Sequence, residues 1–230
     1  MTLKYPKQND IIGIIAPSRP LHKNISEVEH GIDFLIQSGF KIKRGRNLSK
    51  VFYYSAGTVR ERLADLHDMF EDPSVKAIIC ANGGSCSNQL LEMVDFGLIK
   101  RHPKIFIGYS DITNLLLAIN QKCNFPVFYG PLVRELAALT PQAKNFYLDL
   151  LLGKNIGVAY PKKMQVLRSG RAQGTLVGGY LSIICDLLHT PYLPDLENTI
   201  LFWEVAGICP ALIDSEMQTL RLSGVFKKIK

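Results

Sequence analysis

Ile105-Phe106-Ile107-Gly108-Tyr109-Ser110-Asp111-Ile112-Thr113 is an apolar run that stops in Gly-Tyr-Ser-Asp and passes at once into the helical pattern of Asn114 to Ile119. A strand with one wet face would alternate apolar and polar residues. Lys104 to Gly108 does not, so it reads as a strand buried on both faces of a sheet. A serine at the end of such a strand stands at the carboxyl edge of an open α/β sheet, where ligands and reactive side chains collect.

Outward from this stretch the same unit recurs. Ile11-Ile12-Gly13-Ile14-Ile15-Ala16 is a continuous apolar run ended by Pro17. Ser26-x-x-Glu29 then reads as the cap of a helix with Val28, Ile32, Leu35 and Ile36 on one face, before Gly39. Thr58-x-x-Glu61 opens a second helix carrying Leu63, Leu66, Met69 and Phe70, which Asp72-Pro73 ends. Val75 to Cys80 follows as a strand, and Val127-Phe128-Tyr129 reads as another. Apolar strands alternating with helices predict an α/β fold, a mostly parallel sheet with helices on each side.

A helix is expected from Thr140-Pro141 to Leu152. Beyond it a stretch rich in glycine, proline and basic residues suggests a division into residues 1–153, a linker over 154–173, and a smaller, incomplete α/β domain over 174–230. In this last part Gly174 to Gly179 leads into an apolar pattern at Leu181, Ile184, Leu187 and Leu188, and Thr199 to Glu204 reads as a strand. Asp214 reads as the cap of a helix through Leu222, and Val225-Phe226 as the start of a further strand.

At 230 residues and 47% hydrophobic, the chain can bury a sizeable core. No run approaches the roughly 18 apolar residues of a membrane span, and Met1 to Asp10 lacks the apolar core of a secretory signal; a soluble, cytoplasmic protein is expected. The net charge of +7 is scattered apart from Lys41 to Arg46 and Lys227 to Lys230. Neither run is interleaved with stacking aromatics, so solvated surface charge is expected rather than nucleic-acid binding. The cysteines Cys80, Cys86, Cys123, Cys185 and Cys209 form no C-x-x-C pair, and buried reduced thiols are expected, with neither disulfides nor a zinc cluster.

Three stretches could carry chemistry. Gly108 lets the chain turn sharply before Ser110, which would set the hydroxyl near the positive end of the following helix and aim the Asp111 amide at an oxygen on the serine's target carbon. The usual elbow has a second glycine where Ile112 stands, and from spacing alone the commoner role for Ser110 or Asp111 is that of a helix cap. Asn82-Gly83-Gly84-Ser85-Cys86-Ser87 would bring backbone amides to the same sheet edge, as donors to an oxyanion or a phosphate, and a plain tight turn accounts for it as well. Glu204, after Ile200 to Trp203, could orient a histidine, although an exposed strand-end carboxylate is the commoner case. His22, His30, His67, His102 and His189 sit in polar or helical settings, and none is marked as a base.

Taken in order, Ala16-Pro17-Ser18, Gly83-Gly84 with Ser87 to Leu91, Pro103 to Thr113, Gly178-Gly179, Thr190-Pro191-Tyr192, Ile200 to Glu204, and Ile213-Asp214 through Leu220-Arg221-Leu222-Ser223-Gly224 resemble the LD-carboxypeptidase family over essentially the whole chain. The resemblance implies a cytoplasmic serine peptidase that removes the terminal D-alanine of murein tetrapeptides in cell-wall recycling, or a relative that cleaves microcin-type peptide-nucleotides. By resemblance Ser110 is the nucleophile, Glu204 orients the histidine of a Ser-His-Glu triad, and the amides of Gly84 and Asp111 form the oxyanion hole. No metal or cofactor is implied; the partners implied are a small peptide substrate and a second copy in a homodimer, with neither nucleic acid nor membrane.

Three departures stand out. The family's glycine loop usually reads Arg-Gly-Gly-Tyr-Gly, against Asn82-Gly83-Gly84-Ser85-Cys86 here, and Val205 stands where a second acidic residue is common. The family's histidine lies several dozen residues beyond the Leu220 to Gly224 stretch, so a chain truncated before its base is expected, with impaired hydrolysis; losing a triad base costs roughly a millionfold in one serine protease. The missing strands would also leave Ile200 to Glu204 and Val225-Phe226 as an unpaired edge. The alternatives are a non-catalytic peptide-binding protein and a phosphate- or nucleotide-binding protein using Gly83-Gly84.

Overall fold

The structure, a computed structural model, describes residues 3–154, 157 and 164–230. Its first half alternates β1 (Ile11–Ile15), α1 (Ile25–Gln37), β2 (Lys41–Arg44), α2 (Val59–Glu71), β3 (Val75–Cys80), α3 (Phe96–Arg101), β4 (Ile105–Gly108), α4 (Thr113–Cys123) and β5 (Phe128–Tyr129). The five strands form one parallel sheet in the order β2-β1-β3-β4-β5. The chain reverses its direction of winding between β1 and β3, and the crevice at the carboxyl ends there is where an open α/β sheet binds ligands. Ile12, Ile14, Ile78, Ile79, Phe106 and Ile107 are all buried, as strands covered on both faces require.

Two helix starts differ from the expected caps. α1 begins at Ile25 behind Asn24, which makes no side-chain cap, and the expected Ser26/Glu29 pair does not form because Glu29 instead accepts two bonds from Arg44 at 2.5 and 2.6 Å. The Thr58/Glu61 capping box does form at α2. Lys41 to Arg44, expected only as solvated charge, is the edge strand β2. Its Lys43 is paired by Asp72, its Arg44 by Glu29, and neighbouring Arg46 by Asp68, so an edge strand can be built from a sequence with a single isoleucine.

After β5 come α5 (Val133–Leu136) and α6 (Pro141–Leu151), the latter capped by Thr140 with Pro141 in its first turn. The expected linker over 154–173 falls partly outside the described residues; residues 164–173 form neither helix nor strand. The chain then forms β6 (Thr175–Tyr180), α7 (Leu181–Asp186), β7 (Thr199–Glu204) and α8 (Pro210–Leu222), with β6 and β7 paired in parallel as a second, smaller sheet. α8 starts earlier than expected, at Pro210 behind Cys209, so Asp214 lies inside it rather than capping it. Val225-Phe226 is not a strand but a 3-10 turn over Val225–Lys227 that follows Gly224 in the left-handed conformation. Cys80, Cys86 and Cys123 are buried free thiols as expected, whereas Cys209 is exposed. No helix among the described residues is long and apolar enough to cross a membrane.

One close approach that holds the second sheet against the first half of the chain is at Thr113. Gly179 packs on Thr113, with a left-handed φ of 154° and no room for a Cβ, and the Tyr180 amide donates to Thr113 Oγ1 at 3.1 Å. This seats the carboxyl end of β7 beside the carboxyl ends of β4 and β5.

Candidate active site

Ser110 takes a left-handed conformation with φ of 59°, uncommon for a residue with a side chain. It begins a 3-10 turn, Ser110–Ile112, that leads into α4. Neither Ser110 nor Asp111 caps a helix: the cap positions are Tyr109 and Ile112, and neither makes a side-chain cap bond. The helix-cap role that spacing favoured is therefore absent. A strained serine between strand and helix is the geometry that thrusts a hydroxyl out of the sheet edge.

The strain is held by the buried carboxylate of Asp111. Its Oδ2 accepts from Ser18 Oγ at 2.5 Å, from the Cys86 amide at 3.1 Å and from the Ser87 amide at 2.9 Å. Asn114 Nδ2 donates to Oδ1 at 3.3 Å, and Ser87 Oγ donates to the Asp111 carbonyl at 2.6 Å. Asp111 thus ties the loop after β1, the glycine loop after β3 and the elbow after β4 into one unit. Arg62, only 2% exposed, closes the far side: Nη1 donates to the carbonyls of Pro17 and Cys86 at 3.0 Å each, and Nη2 to Gln89 Oε1 at 2.6 Å.

This packing places Gly83 beside Ser110 and Gly84 against Ser18 and Arg19. A Cβ on Gly83 would stand 3.6 Å from Ser110 Oγ, while one on Gly84 would overlap Ser18 Oγ and press on the Arg19 amide at 2.8 Å. Glycine at position 84 is required by space, and its amide donates to no other group among the described residues.

Glu204 is brought to the same place, but through a residue that sequence reasoning passed over. Tyr129 Oη donates to Glu204 Oε2 at 2.7 Å and accepts from the Ser110 amide at 3.3 Å. Its ring lies edge-on between Tyr109 and Phe202. Burial first, and then the bond to Glu204, push the Tyr129 phenol well above its ordinary pKa, so it stays a proton donor. Tyr109 is tied in the same way to Glu135 at 2.5 Å. None of the five histidines of the chain is hydrogen-bonded to Ser110 or Glu204; His67 Nε2 accepts from the Asp95 amide at 3.0 Å. An apolar cavity of about 1400 Å³ opens beside Tyr129 and Phe202, lined also by Phe128, Phe146, Leu150 and Leu176, but Ser110, Gly83 and Glu204 are not among its walls.

Residues 12–130 match the LD-carboxypeptidase N-terminal domain and residues 173–230 its C-terminal domain. The chain belongs to the LD-carboxypeptidase family. It is 37% identical over 223 residues to the probable murein peptide carboxypeptidase of Bacillus subtilis (strain 168), an alignment that spans 94% of this chain and 69% of that protein. It is 29% identical to the murein tetrapeptide carboxypeptidase of Pseudomonas aeruginosa, over 78% of this chain and 60% of that one. Among solved structures, the microcin C7 self immunity protein MccF in complex with aspartyl sulfamoyl adenosine superposes with a TM-score of 0.90 at 26% identity, covering 100% of this chain and 78% of that one. This LD-carboxypeptidase is a serine-type peptidase by family. Ser18, the carboxylate of Asp111 and Tyr129 are the groups of the site whose roles the sequence concealed. Short polar side chains at turns and an aromatic in a short strand carry no periodic signal, and only the meeting of three loops with the ends of β5 and β7 shows what they do.

Proposed function

We propose that the chain acts on the L,D-peptide bond before the terminal D-alanine of a murein tetrapeptide. Ser110 Oγ is the nucleophile, the amides of Gly84 and Asp111 hold the oxyanion, and Glu204 is the carboxylate that orients the base. The observation that carries the reading is the left-handed Ser110 beside Gly83, with Tyr129 linking its amide to Glu204. Attack joins Ser110 Oγ to the carbonyl carbon, D-alanine leaves as its amine with the serine proton, and water then hydrolyses the ester. None of the chain's five histidines is bonded to Ser110 or Glu204, so in this reading Glu204 is the carboxylate placed to orient a base that none of those five supplies, and slow turnover belongs to the proposal.

That same observation favours a second reading, a binding protein that keeps the cleft without the chemistry. The test is to incubate the chain with the tetrapeptide, follow free D-alanine by mass spectrometry, and measure binding by calorimetry. Release that disappears in Ser110→Ala supports hydrolysis, and binding without release supports the second reading. Release unaffected by Ser110→Ala, or no binding at all, rejects both. Tighter binding of aspartyl sulfamoyl adenosine than of the tetrapeptide would move the substrate class to peptide-nucleotides.

A further inference from the structure

An enzyme that removes one terminal residue must hold a free carboxylate close to its nucleophile: from the scissile carbonyl carbon to the terminal carboxyl carbon is three bonds, under about 4 Å. A cation in the wall of the cleft is the natural partner, and arginine suits it because its planar fork donates two parallel hydrogen bonds to one carboxylate. Three arginines surround the glycine loop, and each has a buried Nε that no group among the described residues satisfies. Two of them are otherwise engaged. Arg62 is wholly buried, spends its remaining donors on two carbonyls and Gln89, and has the Asp111 carboxylate nearby. Arg134 is paired with Glu135 at 3.0 Å.

Arg19 differs from both. Its amide donates to the Gly83 carbonyl at 3.2 Å, and its Cβ would lie 3.0 Å from a Cβ on Gly84, so it is built into the wall that carries the glycine loop. Its guanidinium reaches Asn82, the first residue of that loop, by a single long bond from Nη2 to Oδ1 at 3.3 Å. It has no acidic partner among the described residues. The Nε–Nη2 edge therefore combines an orphaned donor with a weakly used one, and a buried donor left unpaired is costly unless something comes to accept from it.

We infer that Arg19 binds the terminal carboxylate of the peptide substrate and so makes the site select a chain end rather than an internal bond. This rests on the peptide reading given above. It goes beyond that reading by assigning the specificity for a free end to one side chain that stands outside the serine, the glutamate and the oxyanion amides.

The test uses the Ser110→Ala chain, so that binding is read without turnover, and two probes: the tetrapeptide ending in D-alanine and the same peptide as its terminal amide. Calorimetry should show the acid bound at least tenfold more tightly than the amide. Adding Arg19→Gln should weaken the acid by that factor while leaving the amide within twofold, and Arg19→Lys should restore part of the preference. Thermal melts of each variant check that the fold persists. Equal affinity for acid and amide in the parent would overturn the role of Arg19 while leaving the peptide reading standing. So would a loss that falls equally on both probes, or a preference removed by Arg134→Gln instead. If neither probe binds the parent, the peptide reading fails and this inference fails with it.

Discussion

Ser110 is held where few side chains rest. A left-handed backbone costs an ordinary L-residue about 1–2 kcal/mol, and the four groups gathered by the Asp111 side chain keep the elbow in that state. This strain can be read as stability. Ser110→Gly relieves it, at the cost of a looser unfolded chain, and should raise the unfolding free energy by about 0.5–1 kcal/mol. Ser110→Ala keeps the Cβ and should stay within a few tenths of the parent. Both variants lose Oγ, so any D-alanine release should vanish from both. Urea unfolding decides it: a glycine variant no more stable than the alanine variant would mean the elbow is unstrained.

Between elements, the decisive contact is the one that joins β5 to β7. Tyr129 closes β5 and Glu204 closes β7, and their 2.7 Å bond links the large sheet to the small one at the mouth of the site. A double-mutant cycle of Tyr129→Phe and Glu204→Gln should return a coupling of about 1 kcal/mol in unfolding experiments, and additive losses would show that the two residues do not meet in solution. This junction also marks how far the sequence could be read. The buried strands were legible because Ile11–Ile15 and Ile105–Gly108 hold only apolar residues and Lys76 alone interrupts Val75–Cys80, and Thr58 and Glu61 announced their helix through a reciprocal cap. β2 was not legible, since Lys-Ile-Lys-Arg gains its strand pairing from β1 and its charge balance from distant acids. Ser110, Gly84 and Glu204 could be marked as candidates by residue type and resemblance. Their convergence, through Ser18, Asp111 and Tyr129, is a property of loops that meet only after the sheet has formed.

Over the whole molecule, one buried lysine couples the sheet and its helices to pH. Lys104 precedes β4, is only 7% exposed, and donates to the Met69 carbonyl at 2.8 Å and to the Asp72 carbonyl, satisfying acceptors at the end of α2. Asp72 in turn is paired with Lys43 of β2 at 2.5 Å, so the knot spans both edges of β1 and β3. Burial lowers the Lys104 ammonium from 10.5 to about 8. The sign follows: between pH 8 and 10.5 the unfolded chain binds a proton that the folded chain has shed, so this residue's contribution to stability rises with pH over that window. Tyr129, Tyr147 and Cys80, all raised by burial, keep protons in the fold that the unfolded chain loses, and they pull the other way. The wild-type profile alone therefore mixes opposing trends, and the difference from Lys104→Met isolates the lysine. From pH 7 to pH 10 the stability of the wild type should gain on that of the variant by about 2 kcal/mol, measured by urea unfolding at several pH values, because only the wild type is relieved of a buried charge. Parallel profiles would mean that water reaches the ammonium and that the end of α2 is open rather than sealed.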